Sequence, residues 1–202
     1  MKRIFLLAVL ALALPTAVFA GSSIDYTNSG GTLAGSNAGL SLSGSALAAV
    51  NGLNGGGLIT GSNLGSVSFQ TGALTSGSLQ MGGTFAGGGW FTITGNGTNG
   101  VPSATLFSGT FTSPVTWTMV TLSNGTHNYT LTGGLSGTTA SGYSTVGVTV
   151  QLTINTGKGY FNGRSTISSG DTNVVVPEPG SLGLLGTGLL SLGGVIRRKL
   201  KA

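Results

Sequence analysis

Thr145-Val146-Gly147-Val148-Thr149-Val150-Gln151-Leu152-Thr153-Ile154 is the stretch on which the fold turns. Val146, Val148, Val150, Leu152 and Ile154 alternate with Thr145, Gly147, Thr149, Gln151 and Thr153. Apolar residues at period two, most of them β-branched, describe a strand with one buried and one wet face. Shorter runs of the same kind lie upstream. Val115, Trp117 and Met119 alternate with Thr116 and Thr118, and Tyr129 and Leu131 with Thr130 and Thr132. Phe91 and Ile93 alternate with Thr92 and Thr94, and Val67 and Phe69 with Ser66 and Ser68. The run Ala104–Phe111 alternates less cleanly.

Turn residues fall between these runs. Asn96-Gly97, Asn99-Gly100, Asn124-Gly125 and Asn162-Gly163 are pairs favoured where both central residues of a turn take positive φ. Asn124-Gly125 separates Val115–Leu122 from Thr126–Thr132, which predicts a hairpin. Pro102 and Pro114 sit at strand starts or in loops, where a missing N–H does no harm. The segment Ser22–Gly61 is rich in Gly, Ser, Asn, Ala and Leu and has few aromatics. It reads either as short strands of the same sheet or as a looser N-terminal segment. Leu40-Ser41-Leu42 and Leu58-Ile59-Thr60 are its strand candidates, and a helix over Ser45–Val50 is a further expectation. No fixed period recurs there, which disfavours a solenoid. Strands about ten residues apart with Gly-rich turns predict an all-β fold, a single β-sandwich or jelly-roll-like domain.

Composition narrows the chemistry. The chain has 202 residues, of which 39 are Gly, none is Cys and three are Asp or Glu. Charged residues make up 5%, against roughly 25% in an ordinary soluble domain. General acid/base pairs and metal sites draw on residue types that are scarce here, so the expectation is a non-enzymatic protein without a cofactor or resident metal. The formal net charge of +5 belongs to the ends. Lys2, Arg3, Arg197, Arg198, Lys199 and Lys201 are terminal. Between Gly21 and Val176, Lys158 and Arg164 balance Asp25 and Asp171. A nucleic-acid partner needs basic residues clustered on a folded face, and the middle of the chain offers no such cluster.

The start reads as a secretory signal. Lys2 and Arg3 form a positive n-region, Ile4–Leu14 an apolar h-region, and Pro15 breaks the run. Val18-Phe19-Ala20 predicts cleavage between Ala20 and Gly21 by signal peptidase after engagement of the secretion machinery. An N-terminal membrane anchor is the competing reading, but the run falls short of the ~20 residues that a span needs.

The other end is a second address. Val176-Pro177-Glu178-Pro179-Gly180 precedes an uncharged, Gly-rich apolar run, Leu182–Ile196, closed by Arg197-Arg198-Lys199. That order describes a membrane-spanning helix with a cationic stop on the cytoplasmic side. Such a run reaches only about 22 Å, short of a ~30 Å hydrocarbon core, so snorkelling by the basic stop or local thinning must close the gap. A short, Gly-weakened span suits transient residence in the inner membrane.

Pro177-Glu178-Pro179, the Gly/Leu span and the Arg-Arg-Lys end resemble the PEP-CTERM sorting signal of bacterial exosortase substrates. The likeness covers residues 177–202. The resemblance implies that an exosortase-like membrane transpeptidase recognises the Pro-Glu-Pro element, cuts near it, and releases or transfers the body to the cell surface. It also implies company with exopolysaccharide production, since such substrates share the tail and differ in the body. The same tail is sometimes labelled as the C-terminal region of ice-binding proteins. The expected organisation is a signal peptide (1–20), a Gly/Ser-rich segment belonging to the β domain (21–61), a β-sandwich core (62–173) and the sorting signal (174–202).

Few residues in the body carry chemistry. His127, the only histidine, sits beside a predicted turn and reads as a hydrogen-bonded surface or edge-strand residue. Asp25 and Asp171 lie near the two ends of the body, in segments expected to be mobile, which argues against a two-carboxylate hydrolase. Gly157-Lys158-Gly159 fails the phosphate-loop spacing. No carboxylates cluster for calcium. Asn96-Gly97-Thr98, Asn124-Gly125-Thr126 and Asn128-Tyr129-Thr130 match the N-glycosylation sequon and are read as turn chemistry.

Two surfaces remain. Thr92/Thr94, Thr116/Thr118, Thr130/Thr132 and Thr149/Thr153 would line the wet faces of strands, either as a flat array matching ice or a polysaccharide, or because Thr suits exposed strands. No TxT unit repeats at a fixed interval. Among the aromatics Trp90, Trp117, Tyr129, Tyr143 and Tyr160, Trp117 belongs to the apolar face of its strand. Trp90, after three glycines, is the best candidate for an exposed sugar platform. The sequence thus predicts an exported surface or extracellular-matrix protein that acts by association, with exopolysaccharide or with itself. The alternative is a monomeric carbohydrate- or ice-binding module.

Overall fold

A computed structural model of the chain describes residues 22–176, and Ser23–Val176 forms a compact unit. The signal segment with Ala20 and Gly21, and the tail with Pro177, Glu178, Pro179, the apolar run and Arg197, Arg198 and Lys199, lie outside the described residues. The body is all-β. Its strands are β1 (Ser22–Ser29), β2 (Thr32–Ser36), β3 (Gly39–Asn51), β4 (Ile59–Gln70), β5 (Leu74–Ser78), β6 (Gly82–Phe85) and β7 (Gly88–Gly95). They continue as β8 (Thr105–Phe111), β9 (Val115–Thr121), β10 (His127–Thr139), β11 (Ser144–Asn155), β12 (Arg164–Thr166) and β13 (Ser169–Val176). A single 3-10 turn, Leu53–Gly55, is the only helical piece among the described residues.

All thirteen strands belong to one hydrogen-bonded sheet. Its order runs β11-β13-β1-β3-β4-β7-β8-β10-β9-β6-β5, and β10 also pairs with β11. The pairing therefore closes on itself through β10 and β11. Strand β10 makes this possible by its length. His127–Thr132 pairs with β9, Leu135–Thr139 pairs with β8, and the opposite edge pairs with β11 along nearly its whole length. β5 and β12 pair on one side only. Closure removes most of the unpaired N–H and C=O rows that an open sheet presents.

The alternating runs supply the core. Val67, Phe69, Phe91, Ile93, Trp117, Tyr129, Leu131, Val148, Val150, Leu152 and Ile154 are buried, as their periodicity predicts. Phe69 and Phe91 stack with centroids 5.8 Å apart, and Phe111 meets both edge-on. Such pairs contribute roughly 0.5–1.5 kcal/mol each beyond the area they bury. Trp117 lies on Tyr129 at 5.0 Å and donates Nε1–H to the Leu79 carbonyl at 2.9 Å. The Tyr129 hydroxyl donates to the Gln80 carbonyl and accepts from the Phe161 N–H. The two polar tips are thus satisfied inside an apolar cluster.

Some sequence expectations are corrected. Val146 is 79% exposed, whereas Val148 onward is buried. The cause is a bulge: Leu135 pairs with Val148 but Ser136 pairs with Val146, leaving Gly147 as the extra residue. One extra residue exchanges the two faces, so Thr145 turns inward and Val146 outward. The helix expected over Ser45–Val50 is part of β3. Two register shifts interrupt its pairing with β4, so Leu42, Ser45, Leu47 and Val50 all face inward at irregular spacing. Leu47 and Val50, three apart, imitate a helical stripe. Ser22–Gly61 is accordingly strand rather than loose chain. At the other end β13 runs to Val176 with Val174 buried, which moves the edge of the body from 173 to 176.

The hairpin at Asn124-Gly125 is present, joining β9 and β10. Only Gly125 takes positive φ there, at +79°. Asn124 instead accepts from the N–H and hydroxyl of Thr126 through Oδ1, the Asx-turn alternative to a left-handed Asn. Both residues take positive φ at Asn99-Gly100.

Candidate functional site

Of the outward threonines, strand pairing brings Thr116, Thr118, Thr130 and Thr132 together, while the half-buried Thr92 and Thr94 lie apart on β7. Thr116 stands opposite Thr132, and Thr118 opposite Thr130, across β9 and β10. Thr84 on β6 extends the first row beyond Thr116. On the other side Gln151 stands opposite Thr132, and Thr153 opposite Thr130. Asp171 then follows Gln151 on β13. Thr116, Thr118 and Thr132 are exposed and Thr130 is half-buried, while Trp117 and Leu131 between them face the core. The result is an uncharged hydroxyl face bordered by an amide and a carboxylate. Trp90 does not join it. That ring is 44% exposed on β7, opposite Gln70 of β4, with β8 between its strand and β10.

The two body carboxylates are not on mobile flanks. Asp25 lies on β1 and Asp171 on β13, which are neighbours in the sheet. Thr27 donates its hydroxyl to Oδ1 of Asp171. Partial burial raises the Asp25 carboxyl above its ordinary value of 3.8; the negative charge of Asp171 raises it further, and a hydrogen bond from Asn173 opposes the rise. Nothing in the sequence marked this meeting, because it depends on β1 pairing with the last strand. Among the described residues no three His, Cys, Asp or Glu side chains come together.

His127 is the second departure. It opens β10 and is only 7% exposed, so it is not a surface residue. Its Nδ1 shares a 3.0 Å hydrogen bond with the Thr121 hydroxyl. Tyr160 lies flat over it, with ring centroids 4.5 Å apart and planes within 15°. Tyr160 borders an open cleft of about 340 Å³, formed by the end of β11, the connection to β12 and β12 itself. In the sequence Tyr160 is one aromatic among five candidates, and what sets it apart is its company: Lys158 and Arg164, the only cations between Gly21 and Val176, flank it.

Among the described residues no helix is long and apolar enough to cross a membrane. No curated protein matches the chain, and no solved structure does. One family model does match, the PEP-CTERM protein-sorting motif, over residues 175–199. That motif implies export, an exosortase as processing partner, and transient membrane anchoring by the tail. The match begins within β13, at residue 175. The C-terminal tail of this chain carries a PEP-CTERM protein-sorting motif.

Proposed function

We propose that this is an exported, non-enzymatic surface or extracellular-matrix protein, processed by an exosortase-like transpeptidase and associated with exopolysaccharide. The tail match carries the reading. The body supports it by what it offers to a partner: hydroxyl and amide faces with near-zero net charge, and few groups able to move a proton. Ser23–Val176 is a compact unit with its own buried core, which supports a body that keeps its fold once the tail is removed. Signal peptidase would free the N-terminus at Gly21, and the apolar run would hold the chain in the inner membrane until the second cut. The test is Glu178→Ala in the producing cell. Processing should fail and the unprocessed chain should stay in the membrane fraction. Normal release of that variant contradicts the role given to the Pro-Glu-Pro element.

A second reading has a specific observation behind it. Thr116, Thr118, Thr130 and Thr132 form a two-by-two array in register across neighbouring strands, as a monomeric ice- or carbohydrate-binding face requires. Thermal hysteresis and faceted ice crystals from the purified protein would favour it, and their absence removes its ice-binding form. Self-association through the one-sided edges of β5 and β12 is the remaining mode of assembly. Oligomers that grow with concentration in sedimentation would support it, and a clean monomer excludes it.

A further inference from the structure

We propose that the cleft beside Tyr160 binds a sugar chain, with preference for one bearing uronic-acid carboxylates. The inference rests on the reading of the body as an associating module and names the class of its partner. The cleft is lined by Asn155, Thr156, Tyr160, Asn162, Arg164 and Ser165, and its volume is about 340 Å³. That combination offers one aromatic ring, two amides, two hydroxyls and one guanidinium. Typical small-ligand sites are mostly apolar with a few placed polar groups; this cleft is mostly polar around one exposed ring, which suits a hydroxyl-rich ligand. A pyranose has complementary surfaces: an apolar C–H face for the ring and hydroxyls at its rim for the amides.

Tyr160 is built as a platform. One face rests on His127, and half of the residue's surface stays open, 51%. The support is itself fixed. The His127 N–H donates to the Gly157 carbonyl, and the Thr156 N–H donates to the His127 carbonyl. The Thr156 hydroxyl donates to the Gly159 carbonyl at 2.6 Å, and the Gly157 N–H donates to Oδ1 of Asn155 at 2.9 Å. Just beyond the ring, the Phe161 N–H is held by the Tyr129 hydroxyl in the core. A ring held from behind loses little freedom on binding, which is where affinity is gained most cheaply.

Charge sets the selectivity. Lys158 and Arg164 are the only cations between Gly21 and Val176, and both lie on the β11–β12 side of the body. Lys158 is exposed and Arg164 lines the cleft. Asp25 and Asp171 are on β1 and β13 instead. A guanidinium pairs a carboxylate in bidentate geometry. Two cations and one ring fall short of a nucleic-acid groove, which tracks many phosphates and stacks successive bases. Among the described residues no Asp or Glu lines the cleft, so the two carboxylates that glycoside cleavage needs are not supplied by them.

Calorimetry on the full chain in mild detergent tests this, using oligogalacturonate and maltotetraose as probes. The uronate should bind about tenfold more tightly than the neutral sugar at low salt, with a gap that narrows as salt screens it. Tyr160→Ala should weaken both by about tenfold or more, while Tyr160→Phe keeps the ring and stays within about threefold of the parent. Arg164→Gln should erase the preference and spare the neutral sugar. The proposal is overturned by absence of binding to either sugar, by affinity indifferent to Tyr160→Ala, by tighter binding of hexathymidylate, or by losses that follow Thr116→Val and Thr132→Val instead. Failure here leaves the processing of Glu178→Ala unaffected, so the sorting reading and the cleft fail separately.

Discussion

The hydroxyl of Thr27 donates to Oδ1 of Asp171 across 2.8 Å, which stitches the first strand of the body to the last. Asp25 shares that seam, and its carboxyl is raised by burial and by the charge of Asp171. A raised carboxyl means that the folded state holds its proton longer than the unfolded chain does. The associated stability is present at acid pH and lost as pH rises through the folded value. Asp25→Asn should therefore melt at an equal or higher temperature than the parent at pH 7 and flatten the dependence of melting temperature on pH above the ordinary 3.8. A lower melting temperature at pH 7 would show that Asp25 is a net support for the seam.

Tyr26 gives a second titration, at the opposite extreme. Its hydroxyl is buried without a hydrogen-bond partner, and burial pushes its pKa up to about 12. The unfolded tyrosine ionises near its ordinary 10.0, so this contribution is complete below that pH and is lost between 10 and about 12. At stake is on the order of 3 kcal/mol. Tyr26→Phe should be neutral or stabilising by about 0.5–1 kcal/mol at pH 7, because it removes an unsatisfied buried hydroxyl. It should also resist alkaline unfolding better than the parent. Denaturant melts at pH 7 and pH 11 check both statements.

Trp117 fills the space between β9 and the β11–β12 connection, stacked on Tyr129 and edge-on to Phe161 at 5.5 Å. Trp117→Ala should cost roughly 3–5 kcal/mol by opening a cavity and freeing the Leu79 carbonyl. Because Phe161 follows Tyr160, the same variant should loosen the cleft. Chemical denaturation gives the first effect, and faster hydrogen exchange at Tyr160 and Phe161 gives the second.

Gly89 tests the approach of β7 to β4. Its φ is +67°, and a methyl group there would collide with the Gln70 carbonyl. Gly89→Ala should cost about 2 kcal/mol or more, since both the left-handed backbone and the close contact oppose it. Gly100→Ala also adds a side chain at positive φ but meets nothing within 4 Å. It should cost only about 1 kcal/mol. Equal losses in the two variants would show that backbone conformation alone decides at Gly89.

Much of this was legible in residue order, and the exceptions share a cause. Alternation located β4, β7, β9, β10 and most of β11 because each keeps one face for several residues. It misled at Val146 and across Ser45–Val50, where bulges exchange the faces and break the period. Pairing between distant strands left no local trace. The in-register threonines, the meeting of Asp25 with Asp171, and closure through β10 and β11 all depend on such pairing. His127 and Tyr160 meet through a connection that looked like any Gly-rich loop. The sorting motif was legible as well, because such a signal is read as linear sequence.

Intact-mass spectrometry of the protein recovered from the cell surface or the surrounding medium reads both cleavages at once. The recovered chain should begin at Gly21 and end near Pro177-Glu178-Pro179, without Arg197–Ala202. A recovered mass equal to that of the whole 202-residue chain, Met1 to Ala202, would rule out both cuts.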